Sequence, residues 1–271
     1  MKKIFSLALI SLFAVILLAA CGSKGSNGEA SKESKKDTLA AIKDNDQIVF
    51  GVKTDTRRLK NPSSGEIEGF DIDIAKQIAK DILGDEKKAE FKEVTSKTRI
   101  PMLQNGDIDA IVATMTITEE RKKEVDFSDV YFEVGQSLLV KKGSKIKSVE
   151  NLGKGSKVLA VKGSTSSQNI REKAPEASVL EFENYAEAFT ALKSGQGDAL
   201  TTDNAILYGM ADENKNYQLT GKPFTDEPYG IAVKKGQSAL AKEINASLKK
   251  MKSDGRYDEI YKKWIKEDPA E

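Results

Sequence analysis

The stretch Thr114-Met-Thr116-Ile-Thr118-Glu-Glu-Arg121 has residue types suited to capturing an anion. Thr118 followed by two acids reads as a helix N-cap with an acidic first turn. Thr116 can offer a hydroxyl and backbone amides near that helix start. Arg121 can add a bidentate fork to the same carboxylate. The alternative for Arg121 is a solvated charge in the run Arg121-Lys122-Lys123. The chain has no His, so the commonest general base and the commonest zinc ligand are missing. Binding therefore ranks above catalysis, and no cofactor or metal is expected.

The elements that must hold these groups alternate in type. Ile48-Val-Phe-Gly-Val52 reads as a buried strand. Phe70, Ile74, Ala75, Ile78, Ala79 and Ile82 recur at helical spacing and stop at Gly84. Residues 108–112, 134–140 and 158–161 read as strands. Tyr185, Ala188, Phe189 and Leu192 form a helical stripe ending at Gly195, and Leu240, Ile244, Leu248 and Met251 form another. An aromatic tail follows with Tyr257, Tyr261 and Trp264. Alternation of strands and helices predicts an α/β architecture.

An internal repeat divides the chain. Leu103-Gln-Asn-Gly106-Asp-Ile-Asp109-Ala matches Leu192-Lys-Ser-Gly195-Gln-Gly-Asp198-Ala at Leu, Gly, Asp and Ala. Thr114 and Asp203 lie five residues beyond each Asp. Val52-Lys-Thr-Asp55 compares with Val161-Lys-Gly-Ser-Thr165. Two similar lobes would each present polar groups past the carboxyl end of a strand, where open α/β sheets bind ligands. Generic helix–turn–strand grammar explains either copy alone, but less readily both.

Composition narrows the class. The 271 residues carry 43 Lys+Arg against 42 Asp+Glu, with one Cys and 39% hydrophobic residues. No basic excess exists to neutralise phosphates, so a nucleic-acid partner is not expected. Lys2 and Lys3, the apolar run Ile4–Leu18 and the small residues Ala19 and Ala20 read as a secretory signal. An uncleaved anchor is the alternative. Leu18-Ala-Ala-Cys21 resembles the lipobox of bacterial lipoproteins, which implies cleavage before Cys21 and its lipidation, including palmitate. Losing two lysines and no acid moves the net charge from +1 to −1, so the lipid anchor alone would hold the protein at the membrane. Residues 21–45 are read as the lipidated Cys and a flexible tether, because Gly22–Lys36 has no aliphatic side chain larger than Ala.

Thr116-Ile-Thr-Glu-Glu-Arg-Lys-Lys-Glu-Val-Asp-Phe-Ser128, with Gly69-Phe-Asp-Ile-Asp-Ile-Ala75 and Tyr257-Asp-Glu-Ile-Tyr-Lys-Lys-Trp264, resembles the extracytoplasmic solute-binding proteins of polar amino-acid ABC transporters. The similarity spans about residues 46–265. It implies a two-lobe periplasmic-binding-protein-like fold of type II, each lobe an open mixed sheet flanked by helices. Lobe 1 would be 46–131 plus 231–271 and lobe 2 136–226, joined by two hinge strands at 131–135 and 227–231. The resemblance gives the α-carboxylate to Arg121, with Thr116 beside it and Thr165 donating from lobe 2. It gives the α-ammonium to Asp203 and to the backbone carbonyl of Thr114.

Thr95-Ser-Lys-Thr-Arg99-Ile-Pro101 resembles the glutamate- and aspartate-binding subgroup, which implies that Arg99 reaches a side-chain carboxylate. Arg57 adds a second positive group in a loop that is short for the family. Tyr185 either touches the ligand side chain or packs its helix. The implied function is a lipid-anchored subunit of an ABC importer, monomeric, at the extracytoplasmic face of the bacterial membrane, capturing glutamate or aspartate and delivering it to a permease and ATPase. Glutamine or another polar amino acid is the alternative ligand. An adhesin, a sensor module or a dehydratase-like enzyme on this fold are the alternative classes.

Overall fold

A computed structural model describes residues 37–55 and 67–265. Cys21, the leader and Arg57 lie outside the described residues. In chain order the elements are α1 (Thr38–Asn45), β1 (Ile48–Val52), α2 (Phe70–Leu83), β2 (Ala89–Glu93), α3 (Arg99–Asn105), β3 (Ala110–Ile111), α4 (Glu119–Glu124), β4 (Val125–Phe127) and β5 (Phe132–Val134). Next come β6 (Gln136–Lys141), β7 (Lys157–Val161), α5 (Thr165–Lys173), β8 (Ser178–Phe182), α6 (Tyr185–Lys193), β9 (Ala199–Asp203), α7 (Asn204–Glu213) and β10 (Tyr217–Thr220). The chain ends with β11 (Glu227–Tyr229), β12 (Ala232–Lys234), α8 (Ser238–Asp254) and α9 (Arg256–Trp264).

Two mixed sheets repeat one plan. The first has the order β2-β1-β3-β12-β4 and the second the order β8-β7-β9-β6-β10. In each, three parallel strands are followed by a fourth that runs antiparallel to them and a fifth antiparallel to the fourth. The sequence repeat falls on matching corners of this plan. Gly106 and Gly195 take the left-handed conformation at φ 84° and 76°. Asp109 Oδ2 then accepts from Val49 N at 2.8 Å, and Asp198 Oδ2 accepts from Lys157 N at 2.8 Å. The Asp amides donate back to Val49 O and Lys157 O, both at 2.8 Å. The motif pins each sheet's third strand to its neighbour, so the polar groups beyond both strands reach corresponding positions.

Each lobe has its own core. Phe50, Ile72, Ile78, Ile244, Leu248 and Met251 are buried in the first, where α2, α8 and α9 pack. The aromatic tail closes it: Tyr257 and Tyr261 stand edge-on to Phe70 at 6.1 and 6.4 Å. Leu159, Leu192, Leu200, Leu207 and Phe189 fill the second.

Three expectations change. The tether expected through residue 45 gives way to α1, capped by Asp37, whose side chain accepts from Leu39 N. Ile42 is buried there and Thr38 N donates to Gln237 Oε1 at 2.9 Å, so an apolar anchor and a cap offset the ordering cost. The strand expected over 134–140 is two strands in different sheets. They part at Gly135, where a Cβ would lie 2.5 Å from both Pro223 Cβ and Thr225 O. The strand expected over 108–112 shortens to Ala110–Ile111. The chain crosses between the sheets at β5 and β11, which pair antiparallel as a separate two-stranded sheet.

Asp109→Ala is expected to lower stability by about 1–2 kcal/mol in urea melts, because it strands the Val49 amide. Asp109→Asn keeps the acceptor and relieves a buried charge, and is expected to stay close to wild type.

Candidate functional site

The carboxyl ends of β1, β3, β7 and β9 converge on the seam between the sheets. From the first lobe come Lys53 and Asp55 after β1, Ser96 and Arg99 before and in α3, Thr114 and Thr116 after β3, and Arg121 on α4. From the second come Gly163 and Thr165 at the start of α5, Tyr185 at the start of α6, and Asp203 closing β9. β11 adds Glu227 and Tyr229.

The lobes touch across this seam. Arg121 Nη1 donates to Thr116 O at 2.8 Å, and Nη2 reaches Gly163 O at 3.3 Å. Tyr185 N donates to Asp55 Oδ2 at 2.6 Å. Thr116 and Thr165 hydroxyls lie 3.4 Å apart. Gly163 has φ 73°, and a Cβ there would lie 3.0 Å from Lys97 Cα. Only a residue without a side chain allows that approach.

Arg121 is held by its own helix start, since the Thr118 hydroxyl accepts from Arg121 N at 3.2 Å. Burial pulls its pKa down, opposed by Glu227 and Asp203. Thr116 faces Tyr229 in an isolated antiparallel bridge. Ile117 N and Met115 O bond the opposite strand, so Thr116's own N–H and C=O project away from it. The Thr116 hydroxyl, expected to serve an anion, instead donates to Glu227 Oε2 at 2.7 Å.

Thr114 adopts φ 46°, a conformation that costs a non-glycine residue about 1 kcal/mol or more. Two contacts hold it: Thr114 N donates to Asp71 Oδ2 at 2.9 Å, and Lys53 Nζ donates to Thr114 Oγ1 at 3.0 Å. Tyr131 OH completes Asp71 at 2.8 Å.

Arg99 is 2% exposed and spends Nη1 on Ala113 O at 2.7 Å and Thr114 O at 3.3 Å. Burial first, and then Arg121, depress its pKa to about 9. Its Nε and Ser96 Oγ are buried without a hydrogen-bond partner among the described residues.

Asp203 is 5% exposed and accepts from Tyr229 OH. Burial and the neighbouring Glu227 raise its pKa to about 6, while the Tyr229 bond, Lys53 and Arg121 act the other way. Tyr185 is fixed at both ends, its OH accepting from Thr202 Oγ1 at 2.9 Å and its ring lying 4.7 Å beneath Lys53 Nζ. Burial brings Lys53 down to about 7, and Arg99 adds to that shift.

The structure thus gathers Arg99, Thr114, Thr116, Arg121, Thr165, Tyr185 and Asp203 at one seam. Sequence reasoning missed Lys53, Asp55, Glu227 and Tyr229. The first two sit in the Val52–Asp55 segment whose position past a strand end was a usable signal. A carboxylate directly before Pro228 on a predicted crossing strand was the signal for Glu227.

Comparison with known proteins sharpens the picture. The model of the bacterial extracellular solute-binding proteins, family 3, matches residues 48–267. The chain is 98% identical over 273 aligned residues, covering all of both chains, to the ABC transporter glutamine-binding protein GlnH of Bacillus subtilis strain 168. It is 61% identical over 248 residues to a glutamine-binding protein of Geobacillus stearothermophilus, covering 88% of this chain and 95% of the relative. Among solved structures, an ancestral arginine-binding protein bound to glutamine is 48% identical, with a TM-score of 0.76 over 82% of this chain and 98% of that one.

Carboxyl-carbon NMR of the ligand-free protein is expected to show Asp203 titrating near pH 6. Tyr229→Phe removes a donor to the ionised form, and the midpoint is expected to rise. An unmoved midpoint would separate Asp203 from Tyr229.

Proposed function

This chain belongs to the bacterial extracellular solute-binding proteins, family 3, and from that membership we propose that it captures glutamine at the extracytoplasmic face and hands it to an ABC permease. It is a binding protein and not an enzyme. The two relatives named for glutamine support that ligand over the glutamate or aspartate placed first by the sequence.

The observation that carries the ligand is the charge inventory of the seam. Lys53, Arg99 and Arg121 already meet Asp55, Asp71, Asp203 and Glu227 within one electrostatic cluster. Arg99, assigned earlier to a side-chain carboxylate, directs Nη1 to two main-chain carbonyls. A glutamine zwitterion adds no net charge to this set. Glutamate adds an anion beside Asp55 with no surplus cation to receive it.

In this reading the α-carboxylate lies on the Arg121 guanidinium and on main-chain amides at Thr116 and at the Thr165 helix start. The α-ammonium lies between Asp203 and Thr114 O. The side-chain amide needs one donor and one acceptor, and Lys53 and Asp55 supply such a pair beside the Tyr185 ring. The ligand then contacts both lobes, and because it binds the closed form better it shifts the equilibrium toward closure. The leader pattern supports a chain lipidated at Cys21 and tethered to the membrane. The two crossings at β5 and β11 support hinges at 131–135 and 227–231 between a lobe 1 of 46–131 plus 231–271, with α1 packed on its core, and a lobe 2 of 136–226. A monomer is the form in which the chain is proposed to act.

A thermal-shift screen of the twenty amino acids tests the proposal, since a ligand bound only by the folded state raises its melting temperature. Glutamine is expected to give the largest shift and glutamate a much smaller one. A larger shift with glutamate returns the acidic reading. Arg121→Ala is expected to abolish calorimetric binding of every amino acid. Glutamine affinity is expected to fall up to tenfold per unit below pH 6, because the ammonium loses its partner as Asp203 takes a proton.

A further inference from the structure

Glu227 opens β11, a strand that belongs to neither five-stranded sheet, and is 2% exposed. Its Oε2 accepts from Thr116 Oγ1 at 2.7 Å and from Thr165 Oγ1 at 2.8 Å. The first hydroxyl belongs to the β3 exit of one lobe and the second to the α5 start of the other. Its Oε1 accepts from Asn169 Nδ2 at 2.9 Å, one helical turn along α5. Gln136 braces the set, donating to Thr165 Oγ1 at 3.0 Å and accepting from Asn169 Nδ2 at 3.0 Å.

A hydroxyl has a single proton to give. Thr116 and Thr165 both spend theirs on Glu227, so what they can offer a ligand is their main chain. The carboxylate gathers three hydrogen bonds from two lobes, and such charge-assisted bonds are stronger than neutral ones. They form together only when the lobes are together, because Thr116 and Thr165 approach the same oxygen from opposite sides of the seam.

We propose that Glu227 is a positioning residue for ligand capture: a buried interlobe latch that aligns the main chains at Thr116 and Thr165 as the lobes meet and sets the stability of the closed form. The inference rests on the amino-acid-capture reading given above. It goes beyond that reading by assigning part of the closure free energy to a contact that the ligand does not make.

The geometry dictates the variant. Glu227→Gln keeps the size but replaces an acceptor with a donor that meets the donating Asn169 or Thr165. It also removes a negative charge near Asp203, whose other charged or titratable neighbours are Tyr229, Tyr185, Lys53, Arg99 and Arg121. A lesion that only loosened the fold would weaken binding without moving its acid limb. Loss of the latch charge also moves that limb to lower pH.

The test compares the full chain and Glu227→Gln by calorimetry and stopped flow with L-glutamine between pH 5 and 8. Interlobe distances are read between labels at Lys80→Cys and Lys173→Cys in a Cys21→Ser background. We expect Kd to rise roughly ten- to a hundredfold, mainly through faster dissociation. We expect the acid limb to shift down and the glutamine-bound distance distribution to extend to longer separations. Asn169→Ala, which removes a donor to Glu227 without being a proposed ligand contact, is expected to act in the same direction more weakly and non-additively with Glu227→Gln. A Kd within twofold of wild type with an unmoved acid limb overturns the latch. If wild type binds no glutamine, the functional reading fails by itself. The ligand-free distance distributions then decide, and identical ones in wild type and Glu227→Gln overturn the latch. If Glu227→Gln does not fold, Asn169→Ala is held to the same criteria.

Discussion

Taking charged groups out of water is the constraint that organises this molecule. A guanidinium or carboxylate withdrawn from solvent must be met by fixed dipoles or an opposite charge. At the seam the required partners come from two sheets and a crossing strand at once. Arg121 is satisfied by a carbonyl from each lobe. Glu227 is satisfied by a hydroxyl from each lobe. Neither sheet alone could hold these charges at low solvent exposure. The polar chemistry that suits an amino-acid zwitterion therefore also favours the lobes' approach.

The same constraint accounts for the backbone. Thr114 is held in the left-handed region by Asp71 and Lys53, each itself buried or bonded. Asp71 is raised by burial and eased back by the Tyr131 and Thr114 bonds. That small chain of contacts runs from α2 to the seam and converts helix packing in the first lobe into the placement of one carbonyl. The repeat's Asp corners act in parallel, fixing strand exits so that polar groups from both lobes face each other.

Much of this was legible in the residues. The repeated Leu-x-x-Gly-x-x-Asp-Ala carries its geometry in local chemistry, a left-handed glycine and a carboxylate that caps a strand amide, so both lobes could be read from it. Arg121 and Asp203 were legible as charges placed just past strand or helix boundaries. Lys53 and Glu227 carried only the weak signals of a place past a strand end and a carboxylate before Pro228, because a lone Lys or Glu is ordinarily solvated and only the meeting of distant segments buries them. Arg99 was legible as a cation but not in its contacts. Whether a guanidinium serves a ligand or its own main chain depends on where Ala113 and Thr114 carbonyls point, and no local pattern encodes that. Helix α1 escaped notice because it is short, continues the polar run before it, and has Ile42 as its one deeply buried anchor.

The position of β12 has a consequence for how the chain is made. It is the fourth strand of the first sheet, lodged between β3 and β4, yet it is supplied by residues 232–234, after the whole second lobe. A chain emerging from its amino terminus can finish the second sheet while the first still has a gap in its middle. Strand β4 then waits for its neighbour across about a hundred residues, a distant pairing of the kind that slows folding. During synthesis and export the first lobe must stay incomplete, its unpaired edges in need of protection, until nearly the last segment arrives. Competence to hold cargo therefore comes late in the life of each new molecule.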